Sequence, residues 1–366
     1  MKSIVYLIST LHRTGPTNVL AGIVKNLDKT KFRPVIVTLS PEPDETNSWW
    51  PELKACGVEI YSLHLSRWQG VLVAKYLLKQ LLARINPDII HAHCFRSVLL
   101  ACRLKGYKMF ATVHCDYEID FKMVYGNIQG SLMSFLFTRA LKQLDVRVAC
   151  SKMLANLLNK KYPSMHFEGV NNGVDTDKFH PVADKNSLRK QLGLPLDKKI
   201  VVWAGSFIPR KDPLTMAKAV LQLPEDKYYF VFCGARGPLL ETCKELLKNR
   251  KDVLFTGYIT NIEKYYQAAD IYVSTSKSEG LPLAVLEAQF CGLVPLLSDI
   301  AQHRYILPQE QLSSCLYKNT VLDLTAKLQA CLQENLTTVL QACVAYIQPF
   351  SAKKMSLEYK GQYEHC

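Results

Sequence analysis

The residue types best suited to chemistry in this 366-residue chain cluster in Ser278-Glu279-Gly280-Leu281-Pro282-Leu283-Ala284-Val285-Leu286-Glu287-Ala288. Pro282 suits a helix start, where its fixed φ is already helical and its missing N–H is no loss. Cys291-Gly292 suits the stop. Glu279 then lies just ahead of a helix N-terminus. Glu287 falls inside the helix, and its neighbours at i−4, i−3, i+3 and i+4 are Leu283, Ala284, Phe290 and Cys291. A carboxylate on such an apolar stripe is costly unless something donates hydrogen bonds to it. A ribose diol would do so. A glutamate at the stripe's margin, reaching water or a lysine, is the other reading.

A second stretch has matching chemistry. The apolar run Ile200–Ala204 ends at Gly205, followed by Ser206-Phe207-Ile208-Pro209-Arg210-Lys211-Asp212-Pro213. Asp212 is placed as an N-cap with Pro213 at the first helical position. Arg210 and Lys211 therefore precede a helix N-terminus, the end at which the macrodipole disfavours cations. An anion held between them and the helix removes that conflict, and a diphosphate has the right charge. Both side chains could instead project into water. Near the start of the chain, Gly15-Pro16 follows another apolar run. Gly15 either lets the backbone approach a ligand at a helix start or makes a tight turn. The stretch is not G-x-G-x-x-G, so a dinucleotide fingerprint is absent.

Two metal-like patterns carry less weight. Asp175-Thr176-Asp177 is a three-residue D-x-D match within a turn. His91-Ala92-His93-Cys94 puts two histidines on one face of a strand, but no third ligand stands at a recognisable spacing. Neither a metal nor a cofactor is expected.

These side chains need rigid elements to hold them. Short β-branched or aromatic runs at 3–9, 33–39, 57–63, 88–91, 109–113 and 146–149 alternate with amphipathic stretches such as Val71–Arg84 and Ser151–Lys161. A second series has strands at 200–204, 229–233, 253–255, 271–274 and 293–297, with helices at 213–222, 238–248, 261–268 and 282–291. Strand–helix alternation run twice means two doubly wound, Rossmann-like α/β domains, with ligands at the carboxyl ends of the strands. The expected division is a first domain over 1–170, a second over 171–348 and a terminal segment over 349–366. Asn171-Asn172-Gly173-Val174-Asp175 supplies the turn between domains, and Ser351 caps a last helix, Ala352–Tyr363.

Composition narrows the class further. Hydrophobic residues make up 48% and charged residues 21%, which excludes disordered and collagen-like chains. The most apolar patch, Leu132–Phe137, is far short of a membrane span. Met1–Ile8 reads as a strand, not a leader, and the 12 cysteines form no C-x-x-C. They are expected to be reduced thiols in a cytoplasmic protein.

The joint pattern resembles the family-4 retaining glycosyltransferases, which have the GT-B fold. Glu279 and Glu287 match the family's E-x7-E hallmark, and Ala288-Gln289-Phe290-Cys291-Gly292 continues it. Gly205 to Asp212 matches its G-R-x-x-x-x-K-G segment with Lys211 at the lysine, although Ser206 stands at the usual Arg and Asp212 at the usual Gly. Asn172-Gly173-Val174-Asp175 resembles its inter-domain motif, and Asp88-Ile89-Ile90-His91-Ala92-His93 its D-I-V-H-x-H strand.

The resemblance implies two domains facing a cleft, with the C-terminal helix crossing back to the first domain. It implies a nucleotide diphosphate sugar held mainly by the second domain and a glycan or lipid-linked acceptor by the first. Glu287 would hold the ribose and Glu279 the sugar hydroxyls. Lys211, Gly205, Gly280 and the backbone amides of Leu283 and Ala284 would cradle the diphosphate, with Arg210 a candidate for the missing arginine. Gly15 would let the N-terminal loop close over the phosphates. His114, after the strand Phe110-Ala111-Thr112-Val113, aligns with an active-site histidine near the sugar and joins Glu279 and Lys211 as a catalytic candidate. Transfer would keep the anomeric configuration without a metal, the nucleotide-sugar being a substrate. A UDP-sugar is the first expectation and GDP-mannose the second, the hexose or N-acetylhexosamine extending a surface polysaccharide such as the O-antigen of lipopolysaccharide.

Charge bears on the acceptor. Lys and Arg number 45 against 32 Asp and Glu, a net charge of +13. Residues 1–180 hold 23 basic against 14 acidic groups, and 60–160 alone hold 14 against five. The excess lies where the acceptor should enter, which points to an anionic lipid surface or a diphospholipid acceptor and not to nucleic acid. Phe121–Arg147 mixes Met123, Met133, Phe135, Leu136 and Phe137 with Lys122, Arg139, Lys142 and Arg147. It reads equally as an interfacial helix on the inner face of the cytoplasmic membrane or as a core helix with a solvated edge. Two rivals stay open: a sugar-nucleotide epimerase of the same fold, and a non-catalytic basic protein that binds membrane or nucleic acid.

Overall fold

A computed structural model of the chain describes every residue except 43–46, 67–68, 70–72, 334–335 and 366. The chain divides into two units, Met1–Gly173 with Ala352–Cys366, and Val174–Ser351.

The first unit is built on seven parallel strands: β1 (Lys2–Ile8), β2 (Phe32–Thr38), β3 (Glu59–Ser62), β4 (Ile89–His93), β5 (Lys108–Val113), β6 (Val146–Ala149) and β7 (Glu168–Gly169). Their order is β3-β2-β1-β4-β5-β6-β7. Central β1 is buried from Ile4 to Ile8, as its unbroken apolar run requires when helices cover both faces. The second unit has six parallel strands: β8 (Lys199–Ala204), β9 (Tyr228–Cys233), β10 (Val253–Gly257), β11 (Ile271–Ser274), β12 (Val294–Ser298) and β13 (Leu316–Tyr317), in the order β10-β9-β8-β11-β12-β13. Trp203, Phe207, Met216, Phe230 and Phe232 lie in its core. Each sheet reverses its strand order once, at β1/β4 and at β8/β11, and such switch points are where loops diverge to leave a crevice. No helix among the described residues is long and apolar enough to cross a membrane.

The expected helix Val71–Arg84 is found as Ala74–Ile85, with 71 and 72 outside the described residues. The stretch Phe121–Arg147 is not one element. Gly126, at φ 79°, separates helices Tyr117–Tyr125 and Asn127–Leu141, and β6 follows. The two helices meet so closely that a Cβ at Gly130 would lie 2.6 Å from the backbone of Lys122. Phe137 is buried against Tyr117 and Phe121, whereas Met123, Phe135 and Leu136 are exposed. The segment thus has a core-facing side, as the core-helix reading expects, and an exposed apolar side.

The C-terminal helix, Ala352–Glu364, packs on the first unit through Met355, Tyr359 and Tyr363, with Met355 filling the space left by Gly22. Tyr363 hydroxyl bonds Nδ1 of His91 at 2.7 Å, and Tyr359 hydroxyl bonds Thr112 at 2.9 Å. The tyrosine spacing i, i+4 places both rings on one face of the helix.

Candidate active site

In the second unit β8 and β11 pair at the switch point, so the loops leaving their carboxyl ends run side by side. Those loops are Gly205–Asp212 and Thr275–Pro282. Thr275 Oγ1 donates to the Lys211 carbonyl at 2.8 Å, and the Lys277 amide donates to the Arg210 carbonyl at 2.8 Å. Lys277 Nζ also lies 3.2 Å from the Asp212 carboxylate. The first loop is braced from behind by β9: Gly205 N–H donates to the Cys233 carbonyl and Phe207 N–H to that of Arg236. A Cβ at Gly234 or Gly237 would run into the backbone of Gly205 or Phe207. Sequence reasoning misses that glycine pair; its signal is its place immediately after an apolar strand.

Arg210 and Lys211 do not face water alone. They converge on Glu279: Lys211 Nζ is 2.5 Å from Oε1, and Arg210 Nη1 is 3.2 Å from Oε2 while also bonding the Ser278 carbonyl at 2.8 Å. Glu279 is buried. Burial by itself would raise its pKa, but the Lys211 and Arg210 charges overcome that, with help from a Ser276 hydrogen bond, and hold it at about 2. A buried carboxylate is thus kept ionised between two cations. Ser276, also missed in the sequence, belongs to a buried polar chain. His303 Nδ1 lies 2.7 Å from the Ser298 carbonyl, its Nε2 is 3.2 Å from Ser274 Oγ, and Ser274 Oγ is 3.4 Å from Ser276 Oγ. The run Ser274-Thr275-Ser276 at a strand exit is the clue the sequence offers.

Two local expectations shift. Pro282 is the cap, and the helix runs from Leu283 to Phe290. Val285 and Leu286 amides bond the Pro282 carbonyl, while those of Leu283 and Ala284 meet no acceptor among the described residues. The helix thus presents two N–H groups at its positive end. Asp212 holds the cap position of helix Pro213–Val220, but its carboxylate caps no amide and instead accepts from Thr215 Oγ1 at 2.9 Å. Its φ is 46°, the left-handed region that glycine favours and that Asp tolerates, so glycine at the matching family position has a backbone reason.

Glu287 is half-buried on the next turns of that helix, and no hydrogen bond or ion pair reaches its carboxylate among the described residues. Burial raises its pKa to about 7; Lys178 opposes the rise and Glu263 adds to it. Lys178 itself pairs with Glu263 at 3.2 Å. A carboxylate in this state lacks the donors that would keep it charged, and a diol would supply them. Gly280, next to Glu279 in the chain, is buried.

Gly15 and His114 belong to the first unit. Gly15 opens the helix Gly15–Asn26 and is exposed. Its φ is not positive and a Cβ there would meet nothing within 4 Å, so the fold itself does not demand glycine. His114 follows β5, half-buried, with Nε2 3.3 Å from Nδ1 of His93 and its carbonyl accepting from Cys150 Sγ. Burial lowers its pKa to about 4, so the ring is neutral at pH 7. In the D-x-D triplet, Asp175 Oδ1 accepts from the Asp177 amide at 3.2 Å, as in an Asx turn. No group of three His, Cys, Asp or Glu able to hold a metal ion is found among the described residues.

The glycosyltransferase family 4 profile matches residues 13–178 and that of glycosyl transferases group 1 matches residues 184–346. The UDP-Gal:alpha-D-GlcNAc-diphosphoundecaprenol alpha-1,3-galactosyltransferase of Escherichia coli is 28% identical over 255 residues, 64% of this chain and 63% of that protein. The D-inositol 3-phosphate glycosyltransferase of Mycobacterium leprae is 34% identical over 128 residues, 33% of this chain and 29% of that protein. The matches thus span less than two thirds of either relative's length. Among solved structures, sucrose-phosphate synthase from Thermosynechococcus elongatus superposes with a TM-score of 0.84 at 18% identity, covering 100% of this chain and 99% of that one. Anabaena HepE in complex with UDP-glucose does so with a TM-score of 0.82 at 15% identity, covering 100% of both. With the two profiles accounting for both halves and two Rossmann-like parallel sheets in the GT-B arrangement of strands, the chain belongs to the group 1 glycosyltransferases of family 4.

Proposed function

We propose that the protein transfers a hexose or N-acetylhexosamine from a nucleoside diphosphate sugar to a lipid-diphosphate-linked glycan, with retention of configuration and without a metal. The observation that carries this reading is the Glu279 carboxylate gripped by Lys211 and Arg210 ahead of a helix whose first two amides, like the Glu287 carboxylate eight residues on, meet no partner among the described residues. Donor phosphates entering this corner would take over the two cations and the amides of Leu283 and Ala284, stabilising the charge that develops on the leaving diphosphate. That service is the one a divalent metal gives in other transferases, and here two cationic side chains can supply it. Glu279, kept ionised by the two cations that the phosphates would share, would accept hydrogen bonds from the sugar's hydroxyls. Glu287 would accept from the ribose. Arg210 would act as the second phosphate cation that Ser206 cannot be.

UDP-galactose and a diphosphoundecaprenol-linked acceptor in the name of the E. coli relative, and UDP-glucose bound to HepE, support a UDP-sugar and a lipid-linked acceptor. Extension of an O-antigen-type polysaccharide fits that acceptor class. The same reading sets the protein on the inner face of the cytoplasmic membrane. Ile119, Met123, Val124, Tyr125, Ile128, Leu132, Phe135 and Leu136 are all exposed on helices Tyr117–Tyr125 and Asn127–Leu141, Ile128 at 91%. An apolar patch of that extent, within a span (60–160) that holds 14 basic against five acidic residues, supports an anionic lipid surface.

The test is a panel of UDP-, GDP- and ADP-sugars scored for nucleoside diphosphate release, with and without a polyprenyl-diphosphate-linked acceptor. Release that requires the lipid-linked acceptor is expected. Conversion of the sugar with the nucleotide still attached would mark an epimerase, and no turnover with any donor would leave a binding protein.

A further inference from the structure

His91 and His93 share a face of β4, with ring centroids 4.4 Å apart, and the His93 and His114 rings are 5.5 Å apart. Both nitrogens of His91 are engaged, Nδ1 by Tyr363 and Nε2 by Thr112 Oγ1 at 2.8 Å. His93 is fully buried, and its Nδ1 faces Nε2 of His114 at 3.3 Å. Its other nitrogen, Nε2, is buried with no hydrogen-bond partner among the described residues. Nδ1 of His114 has no partner among them either, yet it is not one of the buried unpaired atoms, so it is the ring nitrogen that opens outward.

A single proton lies between His93 and His114, and its owner fixes both rings. Burial lowers the pKa of all three histidines far enough that each is neutral at pH 7. In one arrangement the Nε2–H of His114 donates to His93. His93 must then carry its own proton on Nε2, an N–H with no acceptor in the core. In the other, Nδ1–H of His93 donates to His114, and only a lone pair of His93 goes unmatched. Orphaned buried N–H groups are the rarer of the two. We infer that His93 is a positioning residue whose Nδ1–H holds His114 in the Nδ1–H tautomer, so that His114 turns a hydrogen-bond donor, not a lone pair, outward. His114 then cannot take a proton at that nitrogen. It donates to an oxygen of the transferred sugar or its phosphate, a consequence that rests on the transferase reading, whereas the tautomer does not.

The deciding experiment is a two-bond proton–nitrogen correlation spectrum of protein labelled with 15N-histidine, which reports for each ring which nitrogen bears the proton. Protonated Nδ1 and bare Nε2 at His114 are expected; a proton on Nε2 of His114 overturns the inference. Two variants extend it to turnover. His93→Asn keeps an N–H near the Nδ1 position, and His93→Leu removes it. His93→Leu should give a mixture of His114 tautomers and cut kcat about tenfold, with His93→Asn restoring it to within about threefold. Equal losses in both variants, or an unchanged His114 tautomer in His93→Leu, would also overturn it. Should His93→Leu not fold, the wild-type spectrum still decides. Should no transfer be found, the spectrum decides the tautomer and only the transferase reading falls.

Discussion

Replacing Glu287 by glutamine, which keeps the shape and removes the charge, is expected to weaken donor binding yet raise the stability of the ligand-free protein above pH 7. Burial, together with Glu263 and against Lys178, lifts the folded-state pKa from the ordinary 4.5 to about 7. The folded chain therefore keeps a proton that the unfolded chain has already lost. Stability falls as pH rises from 4.5, and the loss is complete once pH passes 7. A gap of roughly 2.5 pKa units at about 1.4 kcal/mol each amounts to about 3.5 kcal/mol. Below about pH 4.5 both states are protonated and the charge no longer matters. Glutamine escapes the penalty but buries an amide, which leaves a net gain of about 1–3 kcal/mol at about pH 8, or several degrees in Tm. Melting wild type and Glu287→Gln from about pH 5 to about pH 8 should show the variant at or below wild type at the acid end, where only the amide cost counts, and above it at about pH 8.

Glu279→Gln supplies the opposite sign. The folded pKa of Glu279 is held at about 2, so its ion pairs contribute stability that is fully present above 4.5 and lost as pH falls through 2. Its removal should therefore lower Tm at pH 7. Calorimetric titration with UDP should meanwhile show affinity reduced at least about tenfold in Glu287→Gln. A Tm for Glu287→Gln at or below wild type at about pH 8, or a difference that ignores pH, would refute the claim that Glu287 is a half-buried carboxylate, without a partner among the described residues, awaiting a ligand.

What could be read from the sequence follows from how local each feature is. Parallel strands buried on both faces appear as unbroken β-branched and aromatic runs, so 11 of the strands were visible, whereas β7 and β13 have two residues each and carry no periodic signal. The split at Gly126 was hidden because apolar residues continue on both sides, and only its positive φ reveals the turn. Glu279, Glu287 and the helix between them were legible, since a carboxylate beside a helix start and another on an apolar stripe are recognised within nine residues. The grip of Lys211 and Arg210 on Glu279 was not. It joins residues 68 and 69 positions apart, and only the pairing of β8 with β11 brings those loops together. The same holds for Ser276 and His303, whose polar chain crosses from β11 to β12 and the helix beyond.

Three further outcomes are expected. Lys211→Ala should reduce kcat about 100-fold or more with a lesser effect on donor binding, and Arg210→Ala should cost about tenfold; steady-state kinetics showing either variant within about twofold of wild type would remove that residue from the diphosphate site. Ile128→Glu with Phe135→Glu should abolish co-sedimentation with vesicles containing anionic lipid while leaving far-ultraviolet circular dichroism unchanged, and association that survives both substitutions would place the contact elsewhere. Tyr363→Phe removes the hydroxyl that bonds His91 at 2.7 Å and leaves a fully buried ring nitrogen unmatched, which should cost about 1–3 kcal/mol in urea unfolding. That bond joins positions 272 apart and fastens the terminal helix to β4, so a variant as stable as wild type would mean that the helix's other contacts, among them Met355 and the bonds of Tyr359 to Thr112, Ser356 to Ile23 and Lys360 to Asp28, hold it in place without this bond.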